Sequence, residues 1–282
     1  MEHVKYQAIC TDLDQTLLMP DKSLSPKTIY VMKELIERGV EFVPTTGRAF
    51  ASIPECILDF PGIRYAIVSN GAAIYDIKSM ETIMQLCLAP SFAGQLFHFL
   101  KEKGEAVTYE CFIKGQPYTS EKYFEDPANF GIVSKYEYDY VRSTRIPVKD
   151  IELFTLEHAG ELDALDIIIL PEEKSRVAKM IEQQFDDIYL TTSVDHLIEI
   201  SHKNSGKHNA MAYLMNYLKI PMDQVIAFGD GNNDAQMIEK AGLGLAVGNA
   251  CDACKEAADH IIGDSDQEAV AGFLEQLYHV TF

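Results

Sequence analysis

The sequence predicts a doubly wound α/β protein whose core is a mostly parallel sheet, with a second α+β domain inserted into it. Several short apolar runs end abruptly in polar or glycine-rich residues, at 8–10, 40–43, 66–68 and 225–228. Buried strands of a parallel sheet have this pattern. Helical patterns lie between the runs, and such alternation predicts βαβ units.

The first helix is predicted to begin after Ser25, a suitable N-cap residue, with Pro26 at its first position. Its apolar residues recur at 29, 32, 35 and 36, which is the spacing of one helix face. This helix would connect the first two parallel strands.

The stretch from about residue 84 to residue 190 has a different pattern. Apolar helix faces at 92–100 and 177–181 flank extended runs near 107–109 and 165–170. A chain of 282 residues is also longer than a usual single domain. We therefore expect a core domain formed by residues 1–83 and 191–282, with residues 84–190 inserted as an α+β cap domain.

Charge and composition limit the possible partners. The chain has 24 basic and 43 acidic residues and a formal net charge of −19, which opposes binding to nucleic acid or to an anionic membrane surface. Its apolar runs are too short to span a bilayer, and it lacks the pattern of a secretion signal. We expect a soluble cytoplasmic protein that acts on a small molecule. The sequence does not indicate its oligomeric state.

Two of the six cysteines, Cys251 and Cys254, form a C-x-x-C pair. Such a pair can bind zinc or carry out redox chemistry, but no second pair stands at ligand spacing. The surrounding residues have a helical pattern. We interpret the pair as two helix cysteines and keep zinc or redox chemistry as the alternative.

Two acidic motifs directly follow predicted strands. Asp12 and Asp14 lie two residues apart after the first strand, and Asp230 and Asp234 lie in a Gly-Asp-Gly-Asn-Asn-Asp string after the run at 225–228. Ligands of open α/β sheets bind at the carboxyl ends of the strands. Clustered carboxylates suit Mg²⁺, although each motif alone would also fit a solvated turn.

Donors for a phosphate group are present as well. Thr46, Gly47 and Arg48 follow the second strand, Asn70 follows the third, and Lys207 stands near the start of a helix. A helix N-terminus favours anions. Taken alone, Lys207 would be interpreted as a surface lysine, but the neighbouring motifs favour a functional role.

With these motifs the chain resembles the Cof-type phosphatases of the haloacid dehalogenase superfamily, which carry a class IIB cap between their second and third motifs. In that family the first aspartate of D-x-D-x-T is the nucleophile, matching Asp12, and the second is the general acid and base, matching Asp14. The second-motif threonine matches Thr46, and the third-motif lysine matches Lys207. Gln15 stands where most members have glycine.

The last family motif, G-D-x-x-N-D, matches Asp230, Asn233 and Asp234. The resemblance implies Mg²⁺ held by the carboxylates of Asp12 and Asp230 and by the Asp14 backbone carbonyl, with Asp234 behind them. It implies that Lys207, Thr46 and Asn233 bind the phosphoryl oxygens.

The implied activity is Mg²⁺-dependent hydrolysis of small phosphate monoesters through an aspartyl-phosphate. Candidate substrates are sugar phosphates and phosphorylated cofactors such as pyridoxal phosphate. Two alternatives use the same residues: a phosphomutase, which needs a bisphosphate activator, and a phospho-ligand sensor that has lost turnover.

Overall fold

The computed structural model describes residues 5–132 and 134–282. Over these residues the chain divides into two units. The first comprises the chain up to Gly47 together with Ile53–Met84 and Gly206–Phe282, and the second comprises Arg48–Ser52 and Gln85–Ser205.

The described chain contains fourteen β-strands and eleven α-helices. The elements before the insertion are β1 (Ala8–Thr11), α1 (Pro26–Glu37), β2 (Glu41–Pro44), α2 (Glu55–Leu58), β3 (Tyr65–Val68), β4 (Ala73–Asp76) and β5 (Glu81–Gln85). Those that follow are α3 (Phe92–Lys103), β6 (Thr108–Ile113), β7 (Gln116–Ser120), α4 (Glu121–Glu125), α5 (Lys135–Thr144), β8 (Ile146–Val148), α6 (Ile151–Glu157), β9 (Leu162–Ile168), α7 (Pro171–Gln184), β10 (Ile188–Thr191) and β11 (Leu197–His202). The chain ends with α8 (Lys207–Leu218), β12 (Val225–Gly229), α9 (Ala235–Lys240), β13 (Leu243–Ala246), α10 (Asp252–Ala257), β14 (His260–Ile261) and α11 (Ala269–Tyr278).

The first unit is built on an all-parallel sheet with the strand order β14-β13-β12-β1-β2. From β1 the chain moves outward to β2, whereas from β12 it moves outward in the other direction to β13 and β14. The ends of β1 and β12 therefore form the switch point at which ligands of such sheets bind. This arrangement confirms the predicted fold class.

Helix α1 begins as the sequence indicates. The Ser25 hydroxyl accepts a hydrogen bond from the Thr28 amide at 3.0 Å, and Pro26 is the first helical residue. Val31 and Leu35 are fully buried on its inner face. Among the helices of the described residues, none combines the length and the apolar character needed to cross a membrane.

The strand predicted at 66–68 is buried but is not a regular member of the parallel sheet. It forms β3, which pairs antiparallel with β4 in a separate three-stranded sheet, β3-β4-β5. One parallel bridge, between Thr45 and Ile67, joins it to the end of β2. A short apolar run indicates burial but carries no information about the direction of the neighbouring strand.

The second unit contains a six-stranded sheet with the order β10-β11-β9-β6-β7-β8. All its pairings are antiparallel except the parallel pair β7–β8. Strand β11 lies between β10 and β9, so residues 191–205 belong to this unit and not to the core expected to resume at residue 191. The boundary near residue 190 was thus placed too early, because an apolar strand pattern does not identify its sheet.

One face of this sheet packs in an apolar core, and the other buries three carboxylates in register. Glu110, Asp166 and Glu199 lie directly opposite one another on β6, β9 and β11. Arg145 pairs with Glu110 at 3.0 Å, and Glu199 accepts hydrogen bonds from the Ser193 amide and hydroxyl. Asp166 is only 3% exposed, and among the described residues its Oδ1 has no hydrogen-bond partner. Burial, then Glu199 and Glu110, raises the pKa of Asp166 well above its usual value.

An Asp166→Asn variant is therefore expected to be more stable than the parent protein at pH 8. An aspartate whose pKa is raised by folding contributes its full stabilisation at a pH below its pKa in the unfolded chain. That contribution is lost as the pH rises through its pKa in the folded protein. Asparagine removes the charge and can donate to a neighbouring carboxylate, so the gain should be about 1–3 kcal/mol. Urea unfolding at pH 5 and pH 8 measures it, and the gain should be larger at pH 8.

Asp163 provides the matched control on the same strand. It is also fully buried, but its two oxygens accept hydrogen bonds from Gln85 Nε2 at 2.6 Å and from the Gly115 amide at 2.9 Å. Asp163→Asn should destabilise the protein because it disturbs a satisfied pair of bonds. Equal destabilisation by both variants would contradict the description of Asp166 as a buried carboxyl whose charge lowers stability.

Candidate active site

The carboxyl ends of β1 and β12 bring Asp12 and Asp230 together. Asp12 directly follows β1, and its amide donates to the Phe228 carbonyl of β12 at 2.9 Å. Asp230 directly follows β12, and Asp234 lies one turn further on. Single carboxylate oxygens of Asp12, Asp230 and Asp234 all lie within 4.8 Å of one another.

Lys207 is the first residue of α8, and its side chain is only 1% exposed. Its Nζ lies 2.6 Å from Asp12 Oδ1 and 2.6 Å from Asp234 Oδ1. A buried ammonium group is tolerated only when charged partners of this kind surround it. Lys207 is therefore part of the acidic cluster, unlike an ordinary surface lysine.

The cluster carries excess negative charge, since three carboxylates face one ammonium group. Burial raises the pKa of Asp12 well above its usual value, although Lys207 opposes this shift. Burial, followed by the charge of Asp234, raises the pKa of Asp230 to about 6. Burial alone would lower the pKa of Lys207, but Asp12 and Asp234 outweigh it and the pKa lies above its usual value.

A divalent cation fits this set of donors. Its charge would balance the two negative charges that remain after the pairing with Lys207, and carboxylate oxygens are the ligands that Mg²⁺ prefers. Asp12, Asp230 and Asp234 could thus hold a metal ion.

Asp234 also orders the loop after β12. Its Oδ2 accepts hydrogen bonds from the amides of Asp230 at 3.0 Å and Gly231 at 2.9 Å, while Oδ1 accepts from Lys207. A side chain at Gly229 would collide with Asp234, so the close approach requires glycine there. Asp234 is thus both a member of the acidic cluster and the centre of the loop.

Thr16 is a site residue to which the sequence analysis gave no role. Its buried hydroxyl donates to Asp230 Oδ1 at 2.9 Å, across 214 residues of sequence. The signal was present, because Thr16 is the threonine of the D-x-D-x-T motif. Its contact became visible only when β1 and β12 were placed side by side.

Asn70 links three parts of the site. It accepts a side-chain hydrogen bond from Asn233 Nδ2 at 2.8 Å, its amide donates to the Thr46 carbonyl, and its own carbonyl accepts from the Gly206 amide at 2.8 Å. Residues 69–71 have φ angles of 50°, 52° and 84°, all in the left-handed region. A side chain at Gly71 would collide with the Gly206 carbonyl. The strained turn therefore ties the end of β3 to the start of α8.

Asp14 does not join the acidic cluster through its side chain. Its carboxylate is 32% exposed and lies 2.7 Å from Lys22 Nζ. Burial and neighbouring carboxylates raise the pKa values of Asp12 and Asp230. Gln15, which replaces the usual glycine, adopts the left-handed conformation with φ 58° and ψ 11°, a region that glycine enters without strain.

Gly47 and Arg48 lie where the first unit gives way to the second. Gly47 is half-buried and ends the segment that carries Thr46. Arg48 belongs to the second unit, where its guanidinium donates to the Ser52 carbonyl at 2.8 Å and lies 4.6 Å from the centre of the Tyr140 ring. The expected phosphate contact of Arg48 stays a prediction.

Comparisons with known proteins agree with this geometry. The pyridoxal phosphate phosphatase YbhA of Escherichia coli is 27% identical over 278 residues, covering 95% of this chain and 97% of its own. The HMP-PP phosphatase of Klebsiella pneumoniae is 28% identical over 265 residues, covering 93% and 92%. A solved subclass IIB sugar phosphatase of the haloacid dehalogenase superfamily shares the fold, with a TM-score of 0.78 at 20% identity and coverage of 97% and 100%.

The family model for haloacid dehalogenase-like hydrolases matches residues 9–274, which include both acidic motifs, Lys207 and the whole inserted unit. This match extends over nearly the whole chain and agrees with the parallel sheet, its switch point and the cluster built there. The chain belongs to the haloacid dehalogenase-like hydrolase family.

Proposed function

We propose that the protein hydrolyses small phosphate monoesters in the presence of Mg²⁺, through an aspartyl-phosphate formed on Asp12. The observation that carries this proposal is the position of the Asp12 carboxylate. It lies at the carboxyl end of β1, 2.6 Å from the buried Lys207 ammonium, in a cluster with Asp230 and Asp234. A nucleophilic carboxylate requires a neighbouring positive charge if a phosphate dianion is to approach it.

In the first step an Asp12 carboxylate oxygen attacks phosphorus and the ester oxygen leaves. Asp14 donates the proton that this oxygen needs. In the second step water attacks the phosphorus of the aspartyl-phosphate, Asp14 accepts a proton from this water, and the bond to Asp12 breaks to release inorganic phosphate. The partly exposed Asp14 carboxylate suits such exchange with substrate and solvent. Its ion pair with Lys22 would have to loosen when Asp14 takes up a proton.

The metal would be held by the carboxylates of Asp12 and Asp230 and by the Asp14 backbone carbonyl, with Asp234 behind them. Asp234 suits a position next to the direct ligands of the metal, because both its oxygens already accept hydrogen bonds. Bound Mg²⁺ would offset the excess negative charge and draw electron density from the phosphoryl oxygens. Thr16 would keep the Asp230 carboxylate oriented.

Lys207, Thr46 and Asn233 would bind the phosphoryl oxygens, with Gly47, Arg48 and Asn70 as further phosphate-binding residues. Support comes from the start of α8, where the N-terminal end of a 12-residue helix adds a positive dipole to the Lys207 charge. The Asn233–Asn70 bond fixes the direction of the Asn233 amide. Local donors of this kind can attract an anion to a chain whose net charge is −19.

The substrates we propose are small phosphorylated metabolites, namely sugar phosphates or phosphorylated cofactors. The named relatives include a pyridoxal phosphate phosphatase and an HMP-PP phosphatase, which supports a metabolite of this size. We further propose that the second unit, Arg48–Ser52 and Gln85–Ser205, is the cap that selects the leaving group.

Release of inorganic phosphate from a panel of sugar phosphates and pyridoxal phosphate, without bisphosphate activator, tests the proposal. Turnover should require Mg²⁺. Asp12→Asn should lower kcat by roughly three orders of magnitude or more, the scale seen when a nucleophile is removed. Asp21→Asn is the matched control, because Asp21 is an exposed aspartate of the same segment whose hydrogen-bond partner is Ser23.

Full activity of Asp12→Asn would remove the assignment of the nucleophile. Phosphate transfer that appears only with a bisphosphate activator would identify a phosphomutase. Binding of phosphate esters with no turnover of any panel member would identify the sensor.

Affinity for Mg²⁺ should fall as the pH is lowered. Metal ligands must be deprotonated, and burial raises the pKa of Asp230 to about 6 in the metal-free protein, so protons compete with the metal below that pH. Between pH 7 and pH 5 the affinity should weaken roughly tenfold for each competing proton. Calorimetric Mg²⁺ titrations at both pH values measure the affinity. An affinity independent of pH would show that Asp230 is not a ligand of the metal.

A further inference from the structure

The C-x-x-C pair lies beside the loop after β12 in the first unit, which carries Asp230 and Asp234 and is called the catalytic loop below. Cys251 is the N-cap residue of α10, and Cys254 lies in the first turn of that helix. Cys251 is partly exposed and Cys254 is fully buried, and both are free thiols. Neither is used by the proposed reaction.

The positions of the two cysteines, at the N-cap and at the third residue of α10, suit a disulfide. Residues three apart on a helix have Cα atoms about 5 Å from each other, which falls within the range that disulfides span. An N-cap side chain also folds over the first turn, toward the third helical residue, which here is Cys254. The Cys251 side chain makes no capping hydrogen bond to the backbone of α10.

Cys251 is bonded directly to the loop that carries Asp230. Its amide donates to the Asp230 carbonyl at 2.8 Å, and its thiol donates to Asn232 Oδ1 at 3.3 Å. Movement of the Cys251 side chain toward Cys254 would remove the thiol donor from Asn232. Modification of Cys251 would therefore alter the loop that carries Asp230.

Zinc does not account for the pair. Among the described residues, the side chains that could share one metal ion are Asp12, Asp230 and Asp234, and this group contains neither cysteine. Two thiolates alone do not complete a structural zinc site.

We propose that Cys251 and Cys254 form a redox modification site, which closes to a disulfide by exchange with a small-molecule disulfide and thereby weakens the catalytic loop. Cys251 attacks one sulfur of the reagent and displaces the other as a thiol. Cys254 then attacks the Cys251 sulfur and displaces the second thiol. The protein loses two hydrogens and two electrons, and the reagent gains them. The effect on turnover rests on the proposed function, whereas formation of the disulfide does not.

A peptide map tests the modification itself. Trypsin cleaves after Lys240 and Lys255, so both cysteines fall in the one peptide 241–255. After treatment of the native protein with oxidised glutathione, this peptide should be about 2 Da lighter, as expected for an internal disulfide, and dithiothreitol should restore its mass. In Cys254→Ser the same peptide should instead carry a glutathione adduct on Cys251.

Activity provides the second readout. Oxidation should lower kcat/KM roughly fivefold, the scale of one lost hydrogen bond, and reduction should restore it. Cys251→Ser should abolish the response, whereas Cys56→Ser, which removes an exposed thiol elsewhere in the first unit, should respond like the parent.

Each outcome bears on a different claim. A peptide that stays reduced, or that carries only adducts in the parent protein, overturns the modification site. A disulfide that forms without changing the kcat/KM of an active enzyme overturns the regulatory effect. If the reduced enzyme hydrolyses nothing, the proposed function fails, and the Mg²⁺-dependent rise in Tm then decides whether oxidation disturbs the loop, with an unchanged rise counting against it.

Discussion

The bridge from Lys207 to Asp12 and Asp234 is the interaction on which the first unit's site depends. It joins three segments that are far apart in the chain: the end of β1, the loop after β12 and the start of α8. Without the ammonium group, three carboxylates would face one another at a largely buried position, and such repulsion is costly. The bridge therefore makes the acidic cluster compatible with a folded core.

Several contacts around the cluster keep it in place. Asp234 fixes the loop through two backbone amides, Thr16 fixes Asp230, and the left-handed turn at Asn70 anchors α8. Left-handed non-glycine residues and buried charges each lower stability. At the carboxyl ends of β1 and β12 the strained turn at Ser69 and Asn70 lies beside the buried charges of Asp12, Asp234 and Lys207.

The second unit offers an instructive comparison, because its six-stranded sheet also groups three carboxylates, Glu110, Asp166 and Glu199, near one basic side chain, Arg145. There Arg145 pairs with Glu110, and among the described residues the Oδ1 of Asp166, in the middle of the sheet, has no hydrogen-bond partner. In the acidic cluster of the first unit Lys207 is shared between Asp12, at the end of β1, and Asp234, in the loop after β12, and Asp230 beside them is partly exposed. Similar charge thus produces a strained buried cluster in one unit and a candidate metal centre in the other.

The sequence by itself determined the parallel core, the first helix with its Ser25 cap, and the motif residues that form the site, because these depend on local periodicity and on short spacings. Tertiary structure decided the direction of β3, the sheet that contains β11, the pairing of Asp14 with Lys22 and the bond from Thr16 to Asp230. Strand partners and side-chain bonds of this kind depend on the packing of the folded chain. A linear pattern specifies which residues are buried, but only the packed chain specifies which of them meet.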